Sequence, residues 1–309
     1  MLSKVSFVLI NQFRAVCLLS CLLAVPTYGQ SDLSGVIDFH VHQSPDSVPR
    51  AIDADDLARL AKERGMRGLV MKNHWESTAA IVYIIRKEVP GIELFGGITQ
   101  DLSVGGINPA AVERMVMLKG GYGKVVWMPT FDAEAQVRYS KENRPFVPVS
   151  KDGHLLPAVL EVIDLVAKHQ LVLETGHLSA EEGLLVVHEA HQRGVQHMII
   201  THAMRPPTSM TIPQMQDAAR EGAYIEFCYG TLGEHASFGK AIQIGDYVKA
   251  IRAVGPEFSI LSTDLGRVGG PLPPDGMAMF LEALRKEGIS QADLDIMSKV
   301  NPARALGLK

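Results

Sequence analysis

VIDFHVH, residues 36–42, is a short apolar run that ends in two histidines and begins a repeating pattern. Seven similar runs follow, each separated from the next by a longer segment with apolar residues at helical spacing. Strands that alternate with helices in this way are typical of a parallel sheet. Eight such units favour a closed barrel, so we predict an α/β fold made of one (β/α)8 TIM barrel. The remaining strand-like runs are residues 68–73, 93–99, 124–128, 171–175, 198–201, 223–227 and 259–262.

An open, doubly wound sheet is the alternative architecture for alternating strands and helices. No glycine-rich dinucleotide motif follows the first run, which disfavours this alternative. Three loops, 129–154, 204–212 and 265–275, leave strand-like runs at the same end of the predicted barrel. Long loops at this end usually carry function, so we expect them to contact the substrate and the first to form a lid.

Potential metal ligands fall at the C-terminal ends of the strand-like runs, where barrel enzymes carry their chemistry. Residues two apart on a strand face the same side, so we expect Asp38, His40 and His42 to point into the barrel. Nitrogen and oxygen ligands from several strands indicate a divalent metal site, with Zn²⁺ preferred and Mn²⁺ or Fe²⁺ as alternatives. The potential ligands of this kind are His40, His42, His74, His177, His202 and Asp264.

Five short motifs together resemble the amidohydrolase superfamily, in the order and spacing of that family over residues 35–309. They are DFHVH at 38–42, ETGH at 174–177, ITHA at 200–203, STDLG at 262–266 and NPARALGL at 301–308. The resemblance implies the same barrel. It also implies that the metal ligands are His40, His42, His177, His202 and Asp264. In this family Asp264 would move the proton of the attacking water, and His202 would polarise the substrate carbonyl.

The fourth strand-like run departs from the family pattern. Binuclear members carry a carboxylated lysine or a glutamate there, whereas Lys124 lies at the start of this run. One ion held by His40, His42, His177 and Asp264 is therefore expected, and a second ion, held by His177 and His202, stays open. Three other residues are candidates for bridging or substrate binding: Lys72, which could be carboxylated, His74 and Glu226. By parity we expect Glu174 to face the helices.

The resemblance implies a metal-dependent hydrolase that activates water to cleave an amide, ester, lactone or cyclic amide bond. A non-oxidative decarboxylase with one metal ion is the alternative within the same superfamily. A different class of protein, an exported barrel that binds metal or ligand without catalysis, is the third hypothesis, and phosphoester hydrolysis the fourth. The substrate itself is left open, since it depends on loop contacts.

The first 29 residues form a separate segment. Lys4 and Arg14 are its only charged residues, and an apolar stretch leads to Thr27-Tyr28-Gly29. This pattern is typical of a secretory signal peptide. We therefore predict a signal peptide over residues 1–29, a barrel over residues 30–309, and export to the periplasm or the medium. A membrane anchor is disfavoured because a bilayer span needs ~20 apolar residues, and lipidation at Cys21 is a further alternative.

Composition limits the class of partner. The chain has 309 residues, of which 47% are hydrophobic and 21% charged, and its formal net charge is −4. These values are those of a globular protein, and the sequence has no basic run of the kind that binds nucleic acid. We expect a small-molecule substrate and no nucleic-acid partner, while the oligomeric state stays open.

Overall fold

Eight parallel strands surrounded by helices form the body of the protein. The structure, a computed structural model, describes residues 33–233 and 241–309. The strands, labelled in chain order, are β1 (Ile37–His42), β2 (Gly68–Lys72), β3 (Glu93–Thr99), β4 (Gly123–Trp127), β5 (Val172–Glu174), β6 (His197–Ile200), β7 (Ala223–Cys228) and β8 (Ser259–Ser262). The strands pair in this order and all in parallel, which confirms the predicted (β/α)8 barrel.

Each strand is followed by one helix of the outer shell. These helices are α1 (Ala54–Glu63), α2 (Ala79–Glu88), α3 (Pro109–Val116), α4 (Pro157–His169), α5 (Ala180–Gln192), α6 (Ile212–Arg220), α7 (Ile244–Val254) and α8 (Pro273–Lys286). Local sequence fixes several of their starts. Pro157 opens α4, and the side chain of Ser179 accepts a hydrogen bond from the backbone of Glu182 at the start of α5. Two short helices, Gln291–Asp295 and Asn301–Ala305, end the chain.

The seam between the last and the first strand closes the barrel at its C-terminal end. The backbone N–H of His42 donates to the carbonyl of Leu265 at 2.8 Å, and that of Asp264 donates to the carbonyl of His40 at 2.8 Å. The loops beyond this seam also meet, because Arg50 and Arg267 form an antiparallel bridge. The first and last strands therefore come together where their ends carry the predicted ligands.

Two apolar layers separate the inside of the barrel from its helical shell. The outer layer packs alternate strand residues, such as Leu69 and Met71 of β2, against the helices. The inner layer fills the lower part of the barrel with Ile37, Phe39, Val70, Phe95, Val125, Trp127, Val172, Ile199, Tyr224 and Ile260. Polar residues begin above this layer, so the chemistry is confined to the C-terminal mouth.

Loop 129–154 is more regular than predicted. It contains a helix, Glu134–Tyr139, and a two-stranded hairpin of Ser150–Lys151 with His154–Leu155. The predicted signal peptide, with Cys21, lies outside the described residues, so its boundary with the barrel stays a prediction. Within the part of the chain that the structure describes, no helix is long and apolar enough to cross a bilayer.

Candidate metal centre

His40 and His42 both reach the mouth because β1 contains a bulge. Between Asp38 and Val41 the pairing of β1 with β2 shifts register. Phe39 belongs to the inner layer, and because of this shift His40, directly after it, faces inward as well. Nε2 of His40 lies 3.0 Å from Nζ of Lys72. The predicted inward direction of Asp38 was wrong. Its carboxylate instead accepts hydrogen bonds from the backbone and hydroxyl of Thr263 at the seam.

Asp264 brings its carboxylate against both histidines of β1. Its backbone is left-handed, with φ of 52°, and its Oδ1 lies 3.2 Å from Nε2 of His40 and 3.1 Å from Nε2 of His42. Ligand atoms of these three residues all lie within 4.8 Å of one another. Two atoms bonded to one tetrahedral zinc ion are roughly 3.3 Å apart. The three side chains therefore fit a shared divalent cation.

Glu226 lies beneath His40 and orients it. Its Oε2 is 3.4 Å from Nδ1 of His40 and accepts a hydrogen bond from the backbone N–H of His202 at 3.0 Å. Although burial acts to raise its pKa, the neighbouring His40 holds the pKa of Glu226 to about 2. A carboxylate on one imidazole nitrogen is the common arrangement in metal sites, and it directs the other nitrogen, which here lies 3.0 Å from Nζ of Lys72, towards Asp264.

A second group of potential ligands shares His40 with the group described above. His40, Glu226 and Cys228 also lie close together, deeper in the barrel. Burial raises the pKa of the Cys228 thiol, which keeps it protonated and a poor ligand. Because Nδ1 of His40 already faces Glu226, the group with Asp264 is the better candidate.

Lys72 is a fully buried lysine inside the barrel, and its inward direction agrees with the sequence prediction. Burial lowers its pKa, while the charges of Asp264, Glu174 and Glu226 oppose this effect. Its Nζ also lies 5.3 Å from the centroid of the Trp127 ring, at the end of β4. An ammonium at this position would compensate the charge of the buried carboxylates.

Glu174 faces the inside of the barrel, so the prediction that it faces the helices was wrong. Its Oε2 accepts a hydrogen bond from the hydroxyl of Thr201 at 2.9 Å, and burial raises its pKa well above the usual value. The error arose at Gly176, which has φ of 61° and turns the chain between Glu174 and His177. Parity cannot be carried through such a turn.

His177 and His202 form a pair beside the first group. Their rings are 4.9 Å apart, and Nδ1 of His177 lies 3.0 Å from Oε1 of Gln136 in the short helix of loop 129–154. Burial lowers the pKa of both imidazoles well below the usual value, so both are neutral near pH 7. Nδ1 of His202 is buried and has no hydrogen-bond partner among the described residues. This orphaned nitrogen is available to a metal ion or a substrate.

His74 connects the centre to a network that sequence reasoning missed. Its ring stacks on His42 with centroids 4.8 Å apart, and its Nδ1 lies 2.8 Å from the hydroxyl of Thr130. Thr130 in turn donates to Asp101, and burial raises the pKa of Asp101 to about 6. Burial also lowers the pKa of His42 to about 3 and that of His74 well below its usual value. No local motif marks Asp101, because only the fold brings it here.

A cavity of about 490 Å³ opens above the centre at the barrel mouth. Phe131, Arg205 and Arg267, from the three loops expected to contact substrate, line it together with Trp75, Arg50 and the ligands themselves. Its volume lies in the range of small-molecule sites. The structure thus brings His42, His74, His177 and Asp264 to one cavity, while His40, Lys72 and Glu226 lie below its floor.

Solved structures with the same barrel include several hydrolases. The organophosphorus hydrolase of Deinococcus radiodurans has 14% sequence identity and a TM-score of 0.59, and the match covers 90% of this chain and 98% of that one. An amidohydrolase of Burkholderia multivorans with bound zinc has 14% identity and a TM-score of 0.60, over 89% and 99% of the two chains. A third structure is described as organophosphate hydrolysis activity engineered from a weak promiscuous lactonase template. It has 14% sequence identity and a TM-score of 0.61, and the match covers 90% of this chain and 97% of that one.

These likenesses establish the fold. Comparison with curated proteins finds no match. A family match exists for residues 35–226, which include β1 to β6, most of β7 and all the candidate ligands except Asp264. The chain belongs to DUF6282, a family of unknown function.

Proposed function

We propose that this protein is a metal-dependent hydrolase that activates water to cleave an amide, ester, lactone or cyclic amide bond of a small molecule. The observation that carries this proposal is the group formed by His40, His42 and Asp264, whose ligand atoms lie within 4.8 Å at the mouth of a barrel. The hydrolases and the lactonase template among the solved structures with this fold support the same reaction class.

His40, His42 and Asp264 would hold the first ion, and Zn²⁺ is the metal that these nitrogen and oxygen ligands favour. His177 and His202, whose rings are 4.9 Å apart, would complete the centre or hold a second ion. A divalent cation held here would lower the pKa of water to about 7 and so would supply hydroxide near neutral pH. Because Lys72 lies among carboxylates, we propose that it remains an ammonium rather than a carboxylated bridge.

Two residues of the chain transfer the proton and stabilise the negative charge that develops during the reaction. Burial acts to raise the pKa of Asp264, but His40 and the hydrogen bond with His42 hold it well below the usual value. Asp264 is therefore ionised at neutral pH, and its carboxylate accepts the proton of the attacking water and passes it to the leaving group. His202 is buried and neutral, and its unpartnered Nδ1 can donate to the oxygen on which negative charge develops.

The decisive experiment combines metal analysis with hydrolysis of a substrate panel. The purified protein is expected to contain at least one divalent ion per chain and to hydrolyse some of the esters, lactones and amides. Asp264→Asn is expected to lower kcat by about 10²–10⁴, the usual contribution of a positioned proton-transfer group, because it cannot accept the proton. Met279→Gln on the exposed face of α8 serves as a folding control that keeps activity.

Other results would assign a different function. Release of carbon dioxide from aromatic or enoic acids, without hydrolysis of esters or amides, would establish the decarboxylase instead. Metal uptake without turnover of either panel would establish a binding protein. A preparation that takes up no metal even after reconstitution would contradict the proposal as a whole.

We also propose that the protein is exported with removal of residues 1–29. The support is the pattern of the N-terminal sequence, in which an apolar stretch follows Arg14 and ends at Thr27-Tyr28-Gly29. Mass spectrometry of the exported chain is expected to find Gln30 at its N-terminus. An intact N-terminus, or a lipid on Cys21, would contradict this boundary.

A further inference from the structure

Two residues behind His74 fix the position of its proton. Nδ1 of His74 lies 2.8 Å from the hydroxyl oxygen of Thr130. Thr130 has one hydroxyl proton, and it donates this proton to Oδ2 of Asp101. The hydroxyl oxygen therefore accepts the hydrogen bond from His74, so Nδ1 carries the imidazole proton. A neutral imidazole with its proton on Nδ1 has a lone pair on Nε2.

Backbone hydrogen bonds hold the carboxylate of Asp101 in place. Its Oδ1 accepts from the backbone N–H groups of Thr130 at 2.8 Å and Asp132 at 3.1 Å, which leaves Oδ2 for the hydroxyl. Burial raises the pKa of Asp101 to about 6, so this carboxylate is ionised above that pH and can only accept. The chain of hydrogen bonds from Asp101 to His74 therefore has one direction.

The other nitrogen of His74 is open to the cavity. Nε2 has no hydrogen-bond partner among the described residues and is not sealed from the cavity, which the ring helps to line. The group of His40, His42 and Asp264 does not include His74. The His74 ring is stacked on that of His42, with planes inclined by 22°. Since an imidazole binds a metal ion in the plane of its ring, an ion bound by His42 lies outside the plane of His74.

Two aromatic rings beside His74 form a flat apolar wall of the cavity. The rings of Trp75 and Phe131 are stacked, with centroids 5.7 Å apart and planes inclined by 18°. Phe131 also packs against the His74 ring, with centroids 4.5 Å apart and planes inclined by 71°. A planar ligand packed on this wall would therefore also contact His74.

We infer that Asp101 and Thr130 position His74 as a hydrogen-bond acceptor for the substrate, and the assignment to a substrate rests on the proposed function. The substrate then carries an N–H or O–H donor on a planar, apolar body that packs against Trp75 and Phe131. Within the proposed reaction class, an amide or cyclic amide with a free N–H supplies this donor, whereas a simple ester or lactone does not. Asp101 and Thr130 are positioning residues, because they act only through His74.

Nitrogen NMR of the histidine side chains measures the position of the proton directly. The full chain, labelled at its histidine nitrogens and treated with a chelator, is examined at about pH 8, where an ordinary imidazole is neutral. His74→Gln identifies the signals of His74. We expect the proton on Nδ1 in the wild type and in Thr130→Ser, which keeps the hydroxyl, and on Nε2 in Thr130→Val, which lacks the acceptor. A wild-type proton on Nε2 would overturn the inference whether or not a variant folds.

Asp101→Asn is expected to reverse the chain of hydrogen bonds. Two backbone N–H groups require an acceptor at the position of Oδ1, so the amide nitrogen takes the position of Oδ2 and donates to Thr130. The hydroxyl then donates to Nδ1 of His74, and the imidazole proton moves to Nε2. Asp132→Asn makes the same chemical change beside the chain of hydrogen bonds and is the control that keeps the proton on Nδ1. A wild-type spectrum in Asp101→Asn would contradict the role of Asp101.

A matched pair of probes tests the acceptor without turnover. Indole and benzofuran share one planar shape, and only indole carries an N–H. Titration of the wild type and of Thr130→Ser, with zinc and after treatment with a chelator, is expected to show indole bound about tenfold more tightly, as one hydrogen bond in an apolar site implies. In Thr130→Val the preference should fall below about twofold. Phe131→Ala should weaken both probes equally.

Two results of these titrations would contradict the inference. Equal affinity of the wild type for indole and benzofuran would show that Nε2 accepts no hydrogen bond from a ligand on the wall. A preference for indole that is lost when zinc is added would show that the ion occupies Nε2, and His74 would then be a metal ligand instead.

Hydrolysis separates the failure of this inference from that of the proposed function. Equal kcat/KM for cyclic amides with a free N–H and for their N-methyl derivatives would leave the hydrolase intact and refute the need for a donor. A preference for indole that depends on Thr130, without hydrolysis of any ester, lactone or amide, would retain the acceptor role of His74 and refute the hydrolase.

Discussion

At the scale of single residues, the candidate metal centre depends on buried side chains. Glu226 and Lys72 lie below the ligands and are both essentially fully buried. Sequence reasoning named both as candidates but could not decide their roles, because the role of a buried charge depends on its neighbours in space. The structure places Glu226 on Nδ1 of His40 and Nζ of Lys72 at 3.0 Å from Nε2 of the same imidazole.

Replacing Glu226 by glutamine tests its effect on His40. The substitution keeps the shape of the side chain but removes the charge that orients the imidazole. We expect zinc affinity to fall roughly 10–100-fold, the usual effect of losing such a carboxylate partner. Competition with a chromophoric chelator measures the dissociation constant. Glu282→Gln, at a partly exposed position on α8, is the control, and an affinity for zinc within twofold of wild type in Glu226→Gln would rule out this role.

Lys72 is expected to matter for stability more than its single charge suggests. Lys72→Met leaves the buried carboxylates Glu174 and Glu226 without their cation, which should lower the free energy of unfolding by about 3–5 kcal/mol. Adding Glu174→Gln should recover part of this loss, and a double-mutant cycle in urea measures the coupling. The partly exposed pair of Asp295 and Lys299 is the control, with coupling of at most about 1 kcal/mol. Equal coupling in the two cycles would contradict this role of Lys72.

At the scale of elements, hydrophobic periodicity predicted all eight strands to within about two residues at either end. It failed for the direction of two side chains, Asp38 and Glu174. In each case an irregularity intervenes, the bulge in β1 and the turn at Gly176. Side chains alternate between the two faces of a sheet only along a regular strand. No sequence motif in β1 announces its bulge. The ligands themselves were correctly placed at strand ends, since that depends on topology rather than parity.

Gly176 allows a direct test of how this turn is held. A Cβ at this position would lie 2.4 Å from the carbonyl oxygen of Met128, and φ is 61°. Gly194 also has positive φ, at 79°, but a Cβ there would contact nothing within 4 Å. Gly194→Ala should therefore cost roughly 1–2 kcal/mol from strain alone. Gly176→Ala should cost clearly more and also weaken zinc binding through His177. Urea unfolding of both variants decides this, and equal losses would contradict the steric explanation.

At the scale of the whole molecule, the buried histidines make stability depend on pH. Burial lowers the pKa of His42, His74, His177 and His202, so in acid the unfolded chain binds protons that the metal-free fold cannot. Their contribution is complete above about pH 6.5, the unfolded value, and is lost as the pH falls towards the folded values. Asp38 acts in the opposite direction. Burial raises its pKa to about 7, so its contribution is present below about pH 4 and lost as the pH rises through 7.

His74→Gln isolates one member of this group. The free energy of unfolding is measured against pH on the metal-free protein between pH 6 and 4. The variant should reduce the slope by up to about 1.4 kcal/mol per pH unit, which corresponds to one proton. Contributions from Asp38 cancel in the comparison with wild type. His191→Gln, at an exposed position on α5, is the matched control for replacing a histidine. An unchanged slope in His74→Gln would show that His74 is protonated equally in the two states.

The seam between β1 and β8 has a consequence for biosynthesis. His40 and His42 are made near the start of the barrel and Asp264 near its end, and they meet only when backbone bonds join His42 to Leu265 and His40 to Asp264. A nascent chain on the ribosome therefore displays the histidines long before their carboxylate partner exists. The complete cation site can be assembled only after β8 has been synthesised, so a fragment that ends before Asp264 retains the imidazoles without the closed chelate.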